Sequence, residues 1–180
     1  MSPFARPKPR EPLSEERLFE YAVGSLARRM RSVRDLRRLM KLRADPGAAG
    51  EEVMDRVIKR LEDLRYLSDE RFAADFTRLR KENQSHGRRR VQQDLAGKGI
   101  AKDLVSHTIA RAFDDTDELA LARQYADRKR IKPPASDKET ARIMGRLLRA
   151  GFSSVTVWKL LRAWKVEVEE MDVYSPEVAE

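Results

Sequence analysis

The sequence predicts an all-α protein built as an elongated array of three tandem, helix-turn-helix-like three-helix repeats, and three observations carry that prediction. Apolar residues recur at helical spacing, as in Val53, Met54, Val57, Ile58, Leu61 and Leu64, and again in Leu104, Val105, Thr108, Ile109, Ala112 and Phe113, with no strand-like alternation. The chain also matches itself. Val91, Leu95, Gly99, Ile100, Val105 and Ile109, shifted by 52 positions, land on Ile143, Leu147, Gly151, Phe152, Val157 and Leu161. Finally, caps and breakers fall between the periodic runs: Ser32-x-x-Asp35, Pro46-Gly47, Gly87, Gly99, Pro133-Pro134, Ser136-x-x-Glu139 and Gly151.

Residues 1–13 hold Pro and basic side chains with no apolar segment, which reads as a flexible arm rather than a signal peptide. The first repeat, 14–66, is assigned helices over 14–30, 33–43 and 51–66. Leu36 and Met40 precede Val91 and Leu95 by 55 positions, and Val57 and Leu61 precede Val105 and Ile109 by 48, so the loop over 44–50 absorbs the difference. The second repeat, 68–113, is assigned helices over 69–83, 87–97 and 101–113. Asp69-Glu70 stands at a helix start, where carboxylates satisfy free N–H groups, and Phe72, Phe76 and Leu79 are assigned to the core. The third repeat, 115–165, follows with helices over 115–131, 137–149 and 153–165, the first behind the acidic run Asp114-Asp115-x-Asp117-Glu118. Trp158 and Trp164 are assigned to its core because they continue the stripe of Val157, Leu160 and Leu161. Residues 166–180 form an acidic tail, where Pro176 and dense carboxylates argue against further helix. Units of about fifty residues bury little surface alone and depend on their neighbours.

Charge divides the chain. Lys and Arg number 38 against 30 Asp and Glu, but Glu167, Glu169, Glu170, Asp172, Glu177 and Glu180 all follow Lys165, so residues 1–165 carry a net charge of +14. A basic body fits a polyanionic partner, since each cation that neutralises a phosphate releases counterions. The absence of cysteine removes disulfides, thiolate metal sites and cysteine nucleophiles. His86 and His107 lack metal-ligand spacing, and no phosphate-binding Gly-x-x-x-x-Gly-Lys-Ser/Thr loop is present. Gly47-Ala-Ala-Gly50 matches the Gly-x-x-Gly of KH domains only formally, because that fold needs a sheet. No catalytic group, cofactor or metal is expected, no apolar run approaches the ~20 residues of a membrane span, and a cytoplasmic location is expected.

The most specific signature spans residues 67–100. Asp69, Phe72 and Ala73 open a helix, Phe76 follows one turn later, Arg78 and Arg80 continue it, and His86-Gly87 starts a second helix ending at Lys98-Gly99-Ile100. This pattern resembles the central signature of the RecX family. Arg88 stands where that family usually has Pro, and Pro is favoured but not required at a first helical position. The resemblance implies three such repeats and a non-enzymatic regulator that binds the RecA–single-stranded DNA filament and inhibits its ATPase and strand-exchange activities. Such a modulator is expected to bind naked single-stranded DNA weakly and without sequence preference, and a monomer is expected. The rival reading is a stand-alone helix-turn-helix protein that reads DNA or RNA by itself.

Candidate contact residues are basic or polar and cluster at comparable places in two repeats. At 100° per residue, Arg89, Arg90 and Gln93 point away from the core direction of Val91 and Leu95. Arg71 and Arg78 share a face of the preceding helix, and Lys98 closes the signature. Arg28, Arg29 and Arg31 stand before the second helix of the first repeat much as Arg78, Arg80 and Lys81 stand before that of the second. For any one of them a solvated face is the simpler explanation; for the group, a surface that meets RecA or DNA is favoured.

Overall fold

The computed structural model describes residues 11–173, with side chains described as far as Lys165. Among the described residues there are nine α-helices and no strand: α1 Glu15–Arg28, α2 Val33–Met40, α3 Ala48–Asp63, α4 Asp69–Glu82, α5 Arg88–Gly97, α6 Lys102–Phe113, α7 Glu118–Arg128, α8 Asp137–Arg149 and α9 Ser154–Val173. The chain is an all-α helical-repeat fold, as the periodicity predicts.

Three helix ends differ instructively from the expected ones. α3 starts three residues early, because Gly47 makes the turn at φ 109° and leaves Ala48 and Ala49 free to be helical. α7 starts at Glu118, since the Asp117 carboxylate caps it by accepting from the N–H groups of Leu119 and Ala120 at 2.9 and 3.1 Å. α9 runs eight residues beyond the expected end at 165. No Gly or Pro occurs between Lys165 and Pro176, and Glu, Met and Val are all compatible with a helix, so charge density alone does not stop it. The rest of the acidic tail, and residues 1–10 of the arm, lie outside the described residues. Leu13 belongs to the fold, donating its N–H to the Arg43 carbonyl at 2.8 Å and packing on the first core.

Two compact units are distinguishable. The first comprises residues up to Phe72 together with Lys98–Ile100, and the second Ala73–Gly97 together with residues from Ala101 onward. Leu18 and Ala22 of α1, Leu36 and Met40 of α2, and Met54, Val57, Ile58 and Leu61 of α3 form the core of the first. In the second, Val91 and Leu95 of α5, Val105 and Ile109 of α6, Ile143 and Leu147 of α8, and Val157 and Leu161 of α9 are buried. Every apolar residue in the 52-residue self-match is buried, and Gly99 and Gly151 both adopt left-handed φ, 79° and 96°. The division into repeats at 14–66, 68–113 and 115–165 stays our proposal, because the compact units divide the chain within α4.

Two residues assigned to the core are exposed. Trp158 is 51% exposed and Leu79 36%. Trp158 lies one residue, and so about 100°, from Val157, off the stripe that Val157, Leu160 and Leu161 bury. On α4 the buried face runs through Phe72, Ala73 and Thr77, which turns Leu79 to the side.

The signature positions seat helix starts on turns. In the first unit the Ser32 hydroxyl accepts from the Asp35 N–H at 3.1 Å, capping α2, and donates to the Lys98 carbonyl at 2.7 Å. The Asp69 carboxylate takes the Val33 N–H at 2.8 Å. In the second unit Gly87 N–H donates to the Ala150 carbonyl at 2.8 Å and Arg89 N–H to the Gly151 carbonyl at 3.2 Å. Ser32 and Gly87 are 55 positions apart, and Lys98 and Ala150 are 52 apart, so one docking contact recurs at equivalent positions. It also explains Gly87: a Cβ there would lie 2.7 Å from the Phe152 nitrogen.

Candidate nucleic-acid interface

The eleven candidate residues divide between the two units. Arg28, Arg29, Arg31, Arg71 and Lys98 lie in the first, and Arg78, Arg80, Lys81, Arg89, Arg90 and Gln93 in the second. Local geometry separates those held internally from those available to a ligand. Lys98 is held: its ammonium pairs with Asp35 at 2.7 Å, beside the Ser32 contact to its carbonyl. Arg31 donates to the Ser25 hydroxyl at 2.6 Å, and the Arg71 guanidinium donates to the Arg65 carbonyl. Lys81 donates to the Ala112 carbonyl at 2.8 Å while its ammonium lies 5.4 Å from the centre of the Phe113 ring. Arg80 stacks on Phe76 at 4.8 Å and, with Arg90, flanks the half-buried Asp94.

The remainder are open. Arg28, Arg29, Arg89 and Gln93 are exposed and make no side-chain hydrogen bond or ion pair with another described residue. Arg88 is exposed in the same way. Arg78 pairs with Asp75 and Glu82 at 3.4 Å each, exposed contacts of a kind worth at most about 1 kcal/mol and readily exchanged for a phosphate.

A stronger cluster went unread in the sequence. Arg142, Arg146 and Arg149 of α8 join Arg130 and Lys132 around a concavity of about 520 Å³ that also includes Glu139. The spacing i, i+4, i+7 places the three α8 arginines on one helix face and was the available signal. Pro133 lines both this cup and an adjoining cleft of about 490 Å³ that contains Trp158 and Trp164.

His86 is half-buried 6.0 Å from the Tyr125 ring centre, and its Nδ1 is buried without a hydrogen-bond partner among the described residues. Burial pushes its pKa below the ordinary value; Arg80, Arg90 and Lys129 push the same way and Asp94 opposes them. The unfolded chain therefore takes up this proton first. The stability tied to neutral His86 is full above the unfolded value of ~6.5 and is lost as pH falls from there toward the folded pKa. We expect the melting temperature to drop between about pH 7.5 and 5.5, and His86→Gln to show a shallower drop. An unchanged slope in that variant rules His86 out as the cause. Glu118 behaves oppositely. Burial raises its pKa, but donation from Ser153 and Thr156 more than compensates and leaves it lowered, so an ionised carboxylate anchors the start of α9, 2.8 Å from Ser153 N and 2.5 Å from the Thr156 hydroxyl.

Helical repeats docked turn to helix start, with exposed cations on several helices, define a helical-repeat scaffold. The sequence profile of the RecX second three-helix domain matches residues 68–109. The regulatory protein RecX of Deinococcus radiodurans is 28% identical to this chain, covering 98% of it and 81% of the relative. That of Geobacillus kaustophilus is 27% identical and covers 89% of this chain, which spans only 59% of that relative's length. The crystal structure of RecX from Lactobacillus salivarius has the same fold, with a TM-score of 0.63 at 19% identity over 84% of this chain and 97% of that one. In sequence and in fold the chain is similar to regulatory proteins RecX.

Proposed function

We propose that this chain is a cytoplasmic, monomeric and non-enzymatic modulator that binds the RecA–single-stranded DNA filament and restrains its ATPase and strand exchange. The observation that carries the reading is the signature over residues 67–100, in which Gly87 and the Lys98-Gly99-Ile100 turn take part in the helix-docking contacts. Its relatives are named regulatory proteins, and a regulator that acts by occupying a surface needs cations in the right places rather than a catalytic group. Arg28, Arg29 and Arg88 supply exposed cations without a hydrogen bond or ion pair to another described side chain, and Arg89 is exposed with only a through-space influence on Glu118. Each contact to a phosphate would release counterions and make binding weaken with salt.

The test is the DNA-dependent ATPase of RecA from the same cell, followed while this protein is titrated from substoichiometric to equimolar. We expect inhibition already below equimolar. A flat titration overturns the reading.

A further inference from the structure

We propose that the cup and cleft on either side of Pro133 form one binding site for single-stranded nucleic acid, with an unpaired base stacked on Trp158 and the flanking phosphates held by the α8 arginines. The inference deepens the function proposed above and rests on it only for the biological source of the strand.

Charge and shape point to this occupant. The cup brings together Arg130, Lys132, Arg142, Arg146 and Arg149 around one acid, Glu139. Glu139 is already committed, since its carboxylate accepts the Ala135 N–H at 2.9 Å. None of the five cations makes a side-chain hydrogen bond or an ion pair with another described residue. Five uncommitted positive charges around one concavity repel each other, and phosphate oxygens would relieve that repulsion.

The adjoining cleft has different chemistry. Its walls are Pro133, Pro134, Trp158, Leu161 and Trp164, and Arg162 and Lys165 also line it, with Asp137 as the one acid. An indole that is 51% exposed beside cations is a poor core residue and a good stacking surface. Stacking requires an unstacked base, which a duplex does not offer. Phosphates in the cup and a base on Trp158, with Pro133 common to both, is an arrangement that suits a single strand and not a duplex.

Trp158 and Trp164 are the only tryptophans in the chain, and both line the cleft, so intrinsic fluorescence reports on this site. The experiment uses full-length Trp164→Phe protein, in which Trp158 is the sole reporter, titrated with an oligothymidylate of about 12 nucleotides. The same titration is run with an abasic oligomer of equal phosphate number and with a duplex of equal length. We expect quenching by the oligothymidylate and none by the other two. In the wild-type background, binding followed by a dye on the oligonucleotide should weaken about 5- to 150-fold in Trp158→Ala, matching the usual range for loss of one stacked base, and recover in Trp158→Phe. Arg142→Glu/Arg146→Glu should weaken all three ligands and flatten the salt dependence while leaving the melting temperature close to wild type.

Equal binding of abasic and thymidylate oligomers without quenching overturns the proposal and leaves a plain phosphate patch. Quenching by RecA alone, with none by the oligothymidylate, overturns it in favour of a protein-docking groove. The RecA ATPase titration separates the two readings: inhibition without oligonucleotide quenching sinks this site and spares the regulator, and quenching without inhibition does the reverse.

Discussion

Gly151→Ala is expected to be among the most destabilising single-methyl substitutions in this chain, by about 3–5 kcal/mol. The left-handed φ of 96° costs any residue with a Cβ about 1–3 kcal/mol. A Cβ would also press on the Arg90 backbone nitrogen and lie 2.7 Å from the Gly87 oxygen. Both neighbours are backbone, so no rotamer change relieves the clash. The α5 start must retreat from the turn, which weakens the Gly87–Ala150 and Arg89–Gly151 hydrogen bonds at about 0.5–1.5 kcal/mol each. Two other glycines calibrate the effect. At Gly99 the φ is also left-handed, but the nearest atoms to a Cβ belong to the Arg34 side chain rather than to backbone, so Gly99→Ala should cost less. At Gly97, the last residue of α5, a Cβ meets nothing within 4 Å, and alanine should be neutral or stabilise by less than about 1 kcal/mol. Urea denaturation of the three variants checks the order. A Gly151→Ala protein within about 1 kcal/mol of wild type would show that the docked turn is slack.

What the sequence made legible follows from what each signal measures. Helical periodicity records burial, so the residues of the self-match, from Val91 and Ile143 to Ile109 and Leu161, are buried as read. Glycine at Gly99 and Gly151 records backbone geometry, which is why one shift found both left-handed turns. Trp158 was misread because a stripe is about 100° wide and hydrophobicity does not say which edge residue turns outward. The cup was missed for a different reason. Arg130 and Lys132 come from the turn and loop that follow α7 while the other three arginines come from α8, and that meeting is tertiary. Among the chosen arginines, sequence could separate outward from inward but not free from committed: Lys81 and Lys98 carry the right charge and spend it on Ala112 and Asp35.

That distinction decides how the α5 arginines should be tested. Arg90 pairs with Asp94 at 3.1 Å, and Asp94 also faces Arg80 at 3.4 Å. Arg90→Glu would set two carboxylates together beside a half-buried group, so a loss of binding in that variant would be confounded by a loss of stability. Arg88 and Arg89 are exposed and free of side-chain partners. Arg88→Glu/Arg89→Glu should therefore keep the melting temperature near wild type, since surface substitutions usually stay within ~0.5 kcal/mol, with a small added cost because Arg89 helps hold Glu118 ionised. Binding should respond far more. If both arginines contact phosphates or filament carboxylates, each charge-assisted bond contributes about 1.5–3 kcal/mol, and losing two weakens association by about a hundredfold or more. Were both contacts to single-stranded phosphate, the slope of log K against log salt would also flatten by about 1.4. The measurement is RecA ATPase inhibition and oligonucleotide binding by the double variant at two or more salt concentrations. A variant that melts like wild type and inhibits RecA at wild-type concentrations would make these arginines an ordinary solvated face and move the contact surface elsewhere on the chain.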